Sequence, residues 1–120
     1  MTKKVKKLYL QQKKRSLKKI FGTSEKPRLS IFRSHHHIYG QLIDDRIGKT
    51  LSSCSTIEKI IASQIEKSST QSAAFIVGKE LAKRALTKEI TSIVFDRGRR
   101  PYHGRIKSLA EGARQEGLIF

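Results

Sequence analysis

The chain has 120 residues (13.7 kDa), 37% hydrophobic and 30% charged, with 26 lysines and arginines against 10 aspartates and glutamates, a net charge of +16 at pH 7 and a pI near 10.4. That length predicts one domain with a modest core, and such an excess of cations fits a protein that neutralises a polyanion and argues against an enzyme of neutral metabolites. No run approaches the roughly 20 apolar residues of a spanning helix, and one cysteine, Cys54, cannot form an intramolecular disulfide, so a reducing interior is expected.

Residues 1–24 contain no acid but nine cations: Lys3, Lys4, Lys6, Lys7, Lys13, Lys14, Arg15, Lys18 and Lys19. Leu10, Leu17, Ile20 and Phe21 recur at near-helical spacing, yet like charges three and four apart repel, so a basic arm that orders on binding a polyanion is predicted. The start lacks the apolar core of a signal peptide and the Arg/Ser-rich character of a transit peptide. Residues 22–27 read as a stop and linker, and the globular domain is expected over 25–120.

Residues 27–34 mix Leu29, Ile31 and Phe32 with Arg28, Ser30 and Arg33, close to the alternation of a half-buried strand, and 38–43 is rich in β-branched and aromatic types. The turn at 44–48 returns into a third strand over 49–54, giving an antiparallel meander. Ser55 and Glu58 have capping-box spacing ahead of Ile57, Ile60, Ile61 and Ile65, which predicts a short amphipathic helix. A second helix is predicted over 71–88 with Ala74, Val77, Leu81, Ala82 and Ala85 on one stripe, and Gly78 there would allow close approach to the sheet. The continuous apolar run 90–95 predicts a parallel central strand buried on both faces. A third helix over 105–116 buries Ile106, Leu109, Ala110 and Ala113 and ends at Gly117. The order βββααβα makes a small mixed α/β sheet covered by helices.

The stretch the chain is organised around is 95–107, FDRGRRPYHGRIK. It carries Arg97, Arg99, Arg100, Arg105 and Lys107 with Asp96 as its single acid, the planar Tyr102 and His103 among the cations, and Gly98 and Gly104 to let the backbone come close to a ligand. Cations mixed with planar rings suit phosphate and base contact. A loop between the end of a parallel strand and a helix start is where open α/β sheets place ligands, and Arg105 and Lys107 oppose the helix dipole that an external anion would relieve. Asp96 is expected to orient Arg97 or Arg99.

Other chemistry is poorly supported. Strand alternation puts His35 and His37 on one face, but no cysteine or carboxylate completes a zinc set. Asp44, Asp45, Glu80 and Asp96 are spread over different elements, unlike the clustered acids of a two-metal nuclease. Cys54 has no basic partner nearby in sequence and reads as a small buried hydrophobe. No P-loop-type glycine loop is present.

Four runs, PRLSIFRSHHHIYGQLIDD, TLSSCST, VGKELAKRA and VFDRGRRPYHGRIKSLAEGARQEGLIF, resemble large-subunit ribosomal protein eighteen of the bacterial and plastid type, over nearly everything from 27 to 120. The resemblance implies a translational-machinery-type mixed α/β fold and a non-enzymatic component of the central protuberance. Such a protein binds 5S ribosomal RNA and attaches it to large-subunit ribosomal RNA beside neighbouring ribosomal proteins. Its RNA-facing motifs fall on Arg33, Ser34, His37 and Tyr39, and on Asp96, Arg97, Gly98, Tyr102, His103, Gly104, Arg105 and Lys107. Arg28, Arg99, Arg100 and the arm cations join them as expected RNA contacts. Two places depart: Arg99 stands where the family usually has a second glycine, and His35 and His36 where it has Asn-Lys, so strain at Arg99 is expected if that position needs positive φ. No cofactor, metal, membrane partner or homo-oligomer is expected. The 14 isoleucines against 3 valines resemble AT-rich genomes such as those of plastids, which favours a plastid ribosome over the bacterial cytoplasm. The alternatives are a free-standing nucleoid or RNA-chaperone protein and a nuclease.

Overall fold

A computed structural model describes residues 20–98 and 100–120. Expectations for the arm cations Lys3 to Lys19, and for the conformation and contacts of Arg99, lie outside the described residues. The elements are β1 (Arg28–Arg33), β2 (Ile38–Asp44), β3 (Lys49–Ser55), α1 (Lys59–Ala62), α2 (Gln71–Thr87), β4 (Val94–Asp96) and α3 (Gly104–Glu116). The sheet order is β3-β2-β1-β4, with an antiparallel meander and β4 parallel to β1. This is the mixed α/β architecture predicted by the pattern.

Cross-strand register sets the two faces of the sheet. Leu29 pairs with Leu42 and Ile31 with Gly40, which directs the buried Leu29 and Leu42 toward the helices. The opposite face carries Phe32, Gln41 and Ser53, all exposed. Helix α2 begins at Thr70, whose Oγ1 accepts from the Ala73 amide at 3.2 Å. It buries Ala74, Val77, Leu81, Ala82 and Ala85, the stripe read from the sequence. Helix α3 buries Ile106, Leu109, Ala110 and Ala113 and ends at Gly117, whose φ of 119° is open to glycine and hostile to other residues.

Four expectations are corrected. Gly78 faces α3, not the sheet: a Cβ there would lie 2.0 Å from the Leu109 carbonyl oxygen, and Gly112 faces the Phe75 carbonyl in the same way at 2.2 Å. The close approach to the sheet occurs instead at Gly40, which receives Leu81. Strand β4 is an edge strand of three residues, not a central one. The rest of its apolar run is irregular: the Ile90 amide closes the end of α2 on the Ala85 carbonyl, Ile93 donates to Ile119, and both side chains are buried without being part of a strand.

The predicted amphipathic helix after Ser55 shrinks to the single turn of α1. Half of the expected capping box forms, the Ser55 amide donating to Glu58 Oε2 at 2.9 Å, but Ser55 Oγ accepts from the Ile57 amide instead and the pair closes a turn ahead of the helix. Only Ile61 is buried there, and Ile57 and Ile60 are 56% and 61% exposed. Finally, 22–27 is not a free linker. Asp45 donates its amide to the Gly22 carbonyl at 3.0 Å, Thr23 and Lys26 close a turn, and the buried Pro27 accepts from Val94.

Candidate nucleic-acid interface

The loop leaving β4 is shaped by Asp96, whose Oδ1 accepts from the Gly98 amide at 2.8 Å while Gly98 sits at φ 65°. Arg97 and Gly98 are exposed, Arg100 is half-buried, and the Arg100 amide closes back on the Arg97 carbonyl. The chain enters α3 through exposed His103 in an extended N-cap conformation without a side-chain cap, and no acid occupies the first turn. The first turn of this 13-residue helix therefore carries no acidic side chain of its own to meet the positive end of the helix dipole. Lys107 is exposed on the next residues of that helix.

Arg105 joins this loop to a second stretch far away in sequence. Its Nη2 donates to the Ser34 carbonyl at 3.0 Å, and Nη1 makes a longer contact of 3.5 Å to the His37 carbonyl. The 34–37 turn is itself closed by the Ser34 amide on the His37 carbonyl and by the His37 amide on Ser34 Oγ. His37 Nδ1 lies 2.9 Å from Thr56 Oγ1, which fastens the turn to the end of β3. His35 and His36 thus occupy a turn, contrary to the strand alternation assumed for them, and stack edge-on at 4.7 Å.

The outcome is a convergence of Arg33, Arg100 and Arg105. Burial first, and then the like charges of Arg33 and Arg100, push the Arg105 guanidinium below its ordinary pKa. None of the three forms a salt bridge among the described residues. One nitrogen of Arg100, Nη1, is buried without a hydrogen-bond partner among them, an arrangement that costs stability unless something else pairs it. These like charges, near one another and beside a helix start without a side-chain cap, make this end of the molecule electropositive.

Not every expected contact is placed that way. Arg28 sits between two carboxylates, donating from Nε and Nη2 to Asp45 and from Nη1 to Asp96. Among the described residues this pairs Asp96 with Arg28 and not with the expected Arg97. It also unites two acids that looked scattered, under one guanidinium. Tyr102 packs edge-on against Phe95 at 5.8 Å and its hydroxyl accepts from Arg114 Nη1 at 2.9 Å. Arg114 in turn lies 4.3 Å from the centre of the Phe120 ring, which stacks on Phe95. Tyr102 therefore anchors the loop to the C-terminus. Tyr39 is half-buried with its ring 5.6 Å from that of Phe32, which is 62% exposed. Phe32, grouped in the sequence with the apolar Leu29 and Ile31, lies between Ile31 and Arg33 on the outward face of the strand.

No group of three His, Cys, Asp or Glu side chains among the described residues could hold a metal ion. Cys54 is buried, and its thiol is pushed up to about 12 by desolvation even though Arg84, a basic neighbour invisible in the sequence, opposes the shift.

Residues 2–120 match the family described as Ribosomal L18 of archaea, bacteria, mitochondria and chloroplast. The chain is 53% identical over 108 residues to "Large ribosomal subunit protein uL18c" of Cyanophora paradoxa, covering 89% of each. It is 53% identical over 103 residues to "Large ribosomal subunit protein uL18" of Microcystis aeruginosa, covering 86% of each. With the protein of that name from Lachnospira eligens it shares 49% identity over 121 residues, covering 100% of this chain and 99% of the relative. The chain belongs to the ribosomal L18 family of large-subunit proteins, a family of ribosomal constituents and not of enzymes.

Proposed function

We propose, from that membership, that the chain binds 5S ribosomal RNA and attaches it to large-subunit ribosomal RNA in the central protuberance. The observation that carries the reading to particular residues is the convergence of Arg33, Arg100 and Arg105 with no salt-bridge partner among the described residues. Guanidinium groups grip phosphate oxygens bidentately, which suits a fixed backbone geometry better than lysine does. The start of α3, with His103, Gly104 and Lys107, supplies further donors around the same place. Ser34 and His37 border it on the hairpin side and Arg97 and Gly98 on the loop side, with Tyr39 and Arg99 as further proposed RNA contacts. The basic residues Lys3 to Lys19 add a sequence-independent electrostatic contribution. Neighbouring large-subunit proteins complete the surroundings.

A plastid ribosome is the proposed location, supported by the isoleucine-rich composition and by plastid-type relatives such as that of Cyanophora paradoxa. A tagged full-length chain expressed in plastids should sediment with large ribosomal subunits and be recovered with 5S RNA after a high-salt wash. Remaining at the top of the gradient, or binding duplex DNA as tightly as 5S RNA, would instead favour the free-standing nucleic-acid-binding alternative.

A further inference from the structure

We propose that Arg28 is a positioning residue that couples the segment at Gly22 to the loop at Gly98, and that it does not itself contact RNA. The inference rests on the RNA-binding reading above only for its consequence; the coupling is a property of the free protein.

The geometry is a relay of hydrogen bonds through one guanidinium. Arg28 Nε donates to Asp45 Oδ2 at 2.8 Å and Nη2 to Asp45 Oδ1 at 3.0 Å, a two-pronged pairing. Nη1 donates to Asp96 Oδ2 at 3.0 Å. Each carboxylate then holds a backbone amide. Asp45 Oδ2 accepts from Gly22 at 2.8 Å, and the Asp45 amide returns a bond to the Gly22 carbonyl, so residue 22 is clasped from both sides. A Cβ on residue 22 would lie 2.3 Å from the Arg28 nitrogen and 2.4 Å from the Ile43 oxygen, which shows how closely this segment is pressed onto β1 and β2. Asp96 Oδ1 accepts from Gly98 and sets the direction in which the chain leaves β4 toward Arg100 and Arg105.

Two features argue against a direct RNA contact. The Arg28 side chain is only 21% exposed and its three nitrogens are all engaged. One positive charge faces two negative ones, so the cluster repels a phosphate while the rest of the chain attracts it. The choice of arginine also follows: a planar fork can satisfy two carboxylates in different directions at once, whereas an ammonium is a single point charge. The segment at Gly22 and the loop at Gly98 are thereby held in one register.

Amide hydrogen exchange on the full chain without RNA tests the coupling, read at Gly22 and Gly98 and compared with core amides of α2 and α3. Arg28→Lys should accelerate exchange at both glycines by about tenfold while the core amides keep their rates. Asp96→Asn keeps the Oδ1 acceptor and weakens the ion pair, so it should accelerate Gly22 as well as Gly98. Asp45→Asn should do the converse. If each carboxylate variant disturbed only its own glycine, the two clasps would be independent and the proposal overturned. In RNA binding, Arg28→Gln, which removes the charge, should lower the preference for 5S RNA over a competitor while leaving the salt slope unchanged. A slope reduced by about 0.7 to 0.9, with both glycine amides undisturbed, would make Arg28 a phosphate contact and sink the proposal. A wild-type chain with no 5S preference would refute the proposed function, leaving the exchange result to judge the coupling alone.

Discussion

Replacing Gly78 by alanine sets helix propensity against packing, and the distances decide which wins. In an isolated helix the change would stabilise by about 0.8 to 1 kcal/mol. Here the new Cβ would lie 2.0 Å from the Leu109 carbonyl oxygen, 2.9 Å from the Leu109 carbonyl carbon and 3.1 Å from the Ala113 nitrogen. Real contacts do not fall below 3.0 Å, so α3 would have to retreat by roughly 1 Å. The obstruction is backbone, which cannot rotate away as a side-chain tip can. Overpacking of this kind costs about 1 to 3 kcal/mol or more, and the rigid obstacle places Gly78→Ala toward the upper end, for a net loss of about 2 kcal/mol. For a domain of this size that corresponds to a fall in Tm of roughly 8 to 16 °C. Circular dichroism melts and guanidinium midpoints of the two proteins measure it. A Tm equal to or above the wild type would refute the argument that α2 and α3 meet backbone to backbone at this position.

Three further outcomes follow from the charges and the burial. Arg28, and then the Gly22 amide, hold the Asp45 carboxyl below its ordinary pKa, so its ionised form is favoured by folding. This contribution is present above the unfolded pKa of about 4 and disappears as pH falls through the depressed folded value; denaturation midpoints measured down the acid limb should fall more steeply for wild type than for Asp45→Asn, and parallel curves would contradict it. Native Cys54, with its thiol pushed up to about 12, should resist alkylation at pH 8 and react fully once the chain is unfolded; rapid labelling of the folded protein would show the site to be open. Deleting residues 1–19 should flatten the salt dependence of RNA binding by about 0.7 to 0.9 log units of slope for every phosphate those residues neutralise, and an unchanged slope would reduce the nine cations to a solubilising role.

What could be read from the sequence was what local pattern encodes. The expected helix over 71–88 is observed at Gln71–Thr87, and the expected 105–116 at Gly104–Glu116, because in both an apolar stripe has clear ends, Thr70 opening the first and Gly117 closing the second. The hairpin strands were equally legible from alternation. The isoleucines after Ser55 misled because spacing alone cannot tell whether a layer exists to cover them: Ile57 and Ile60 have helical spacing but are exposed among the described residues, and a single turn forms. The apolar run from Ile90 misled for the opposite reason. Burial under the helices and the C-terminal residues makes it apolar without making it a strand.

At the candidate interface, composition identified the cations but not their partners. Arg28 and Asp96 are 68 residues apart, and Arg105 and Ser34 are 71 apart, so no window of sequence contains either contact. Tyr102 illustrates the same limit from another side. A ring among arginines reads as a stacking platform, yet this one packs on Phe95 and accepts from Arg114, while Phe32, on another element, is among the exposed rings. The family motifs named two stretches, and only the fold brings them to one place through Arg105 and the Ser34 carbonyl.

In the proposed function, Arg33 and Arg100 give the chain its preference for 5S RNA, with Arg105 fixed between them by the 34–37 turn. The most direct measurement is the ratio of affinities for 5S RNA and an unrelated structured RNA, at fixed salt, for the wild type and for Arg33→Gln/Arg100→Gln. Removing two charge-assisted bonds to phosphate should cost on the order of 1.5 to 3 kcal/mol for each in the 5S complex, lowering 5S affinity at least about a hundredfold at roughly 1.4 kcal/mol per tenfold and competitor affinity far less. A double variant that kept its full preference, or that weakened toward both RNAs by the same factor, would contradict the claim.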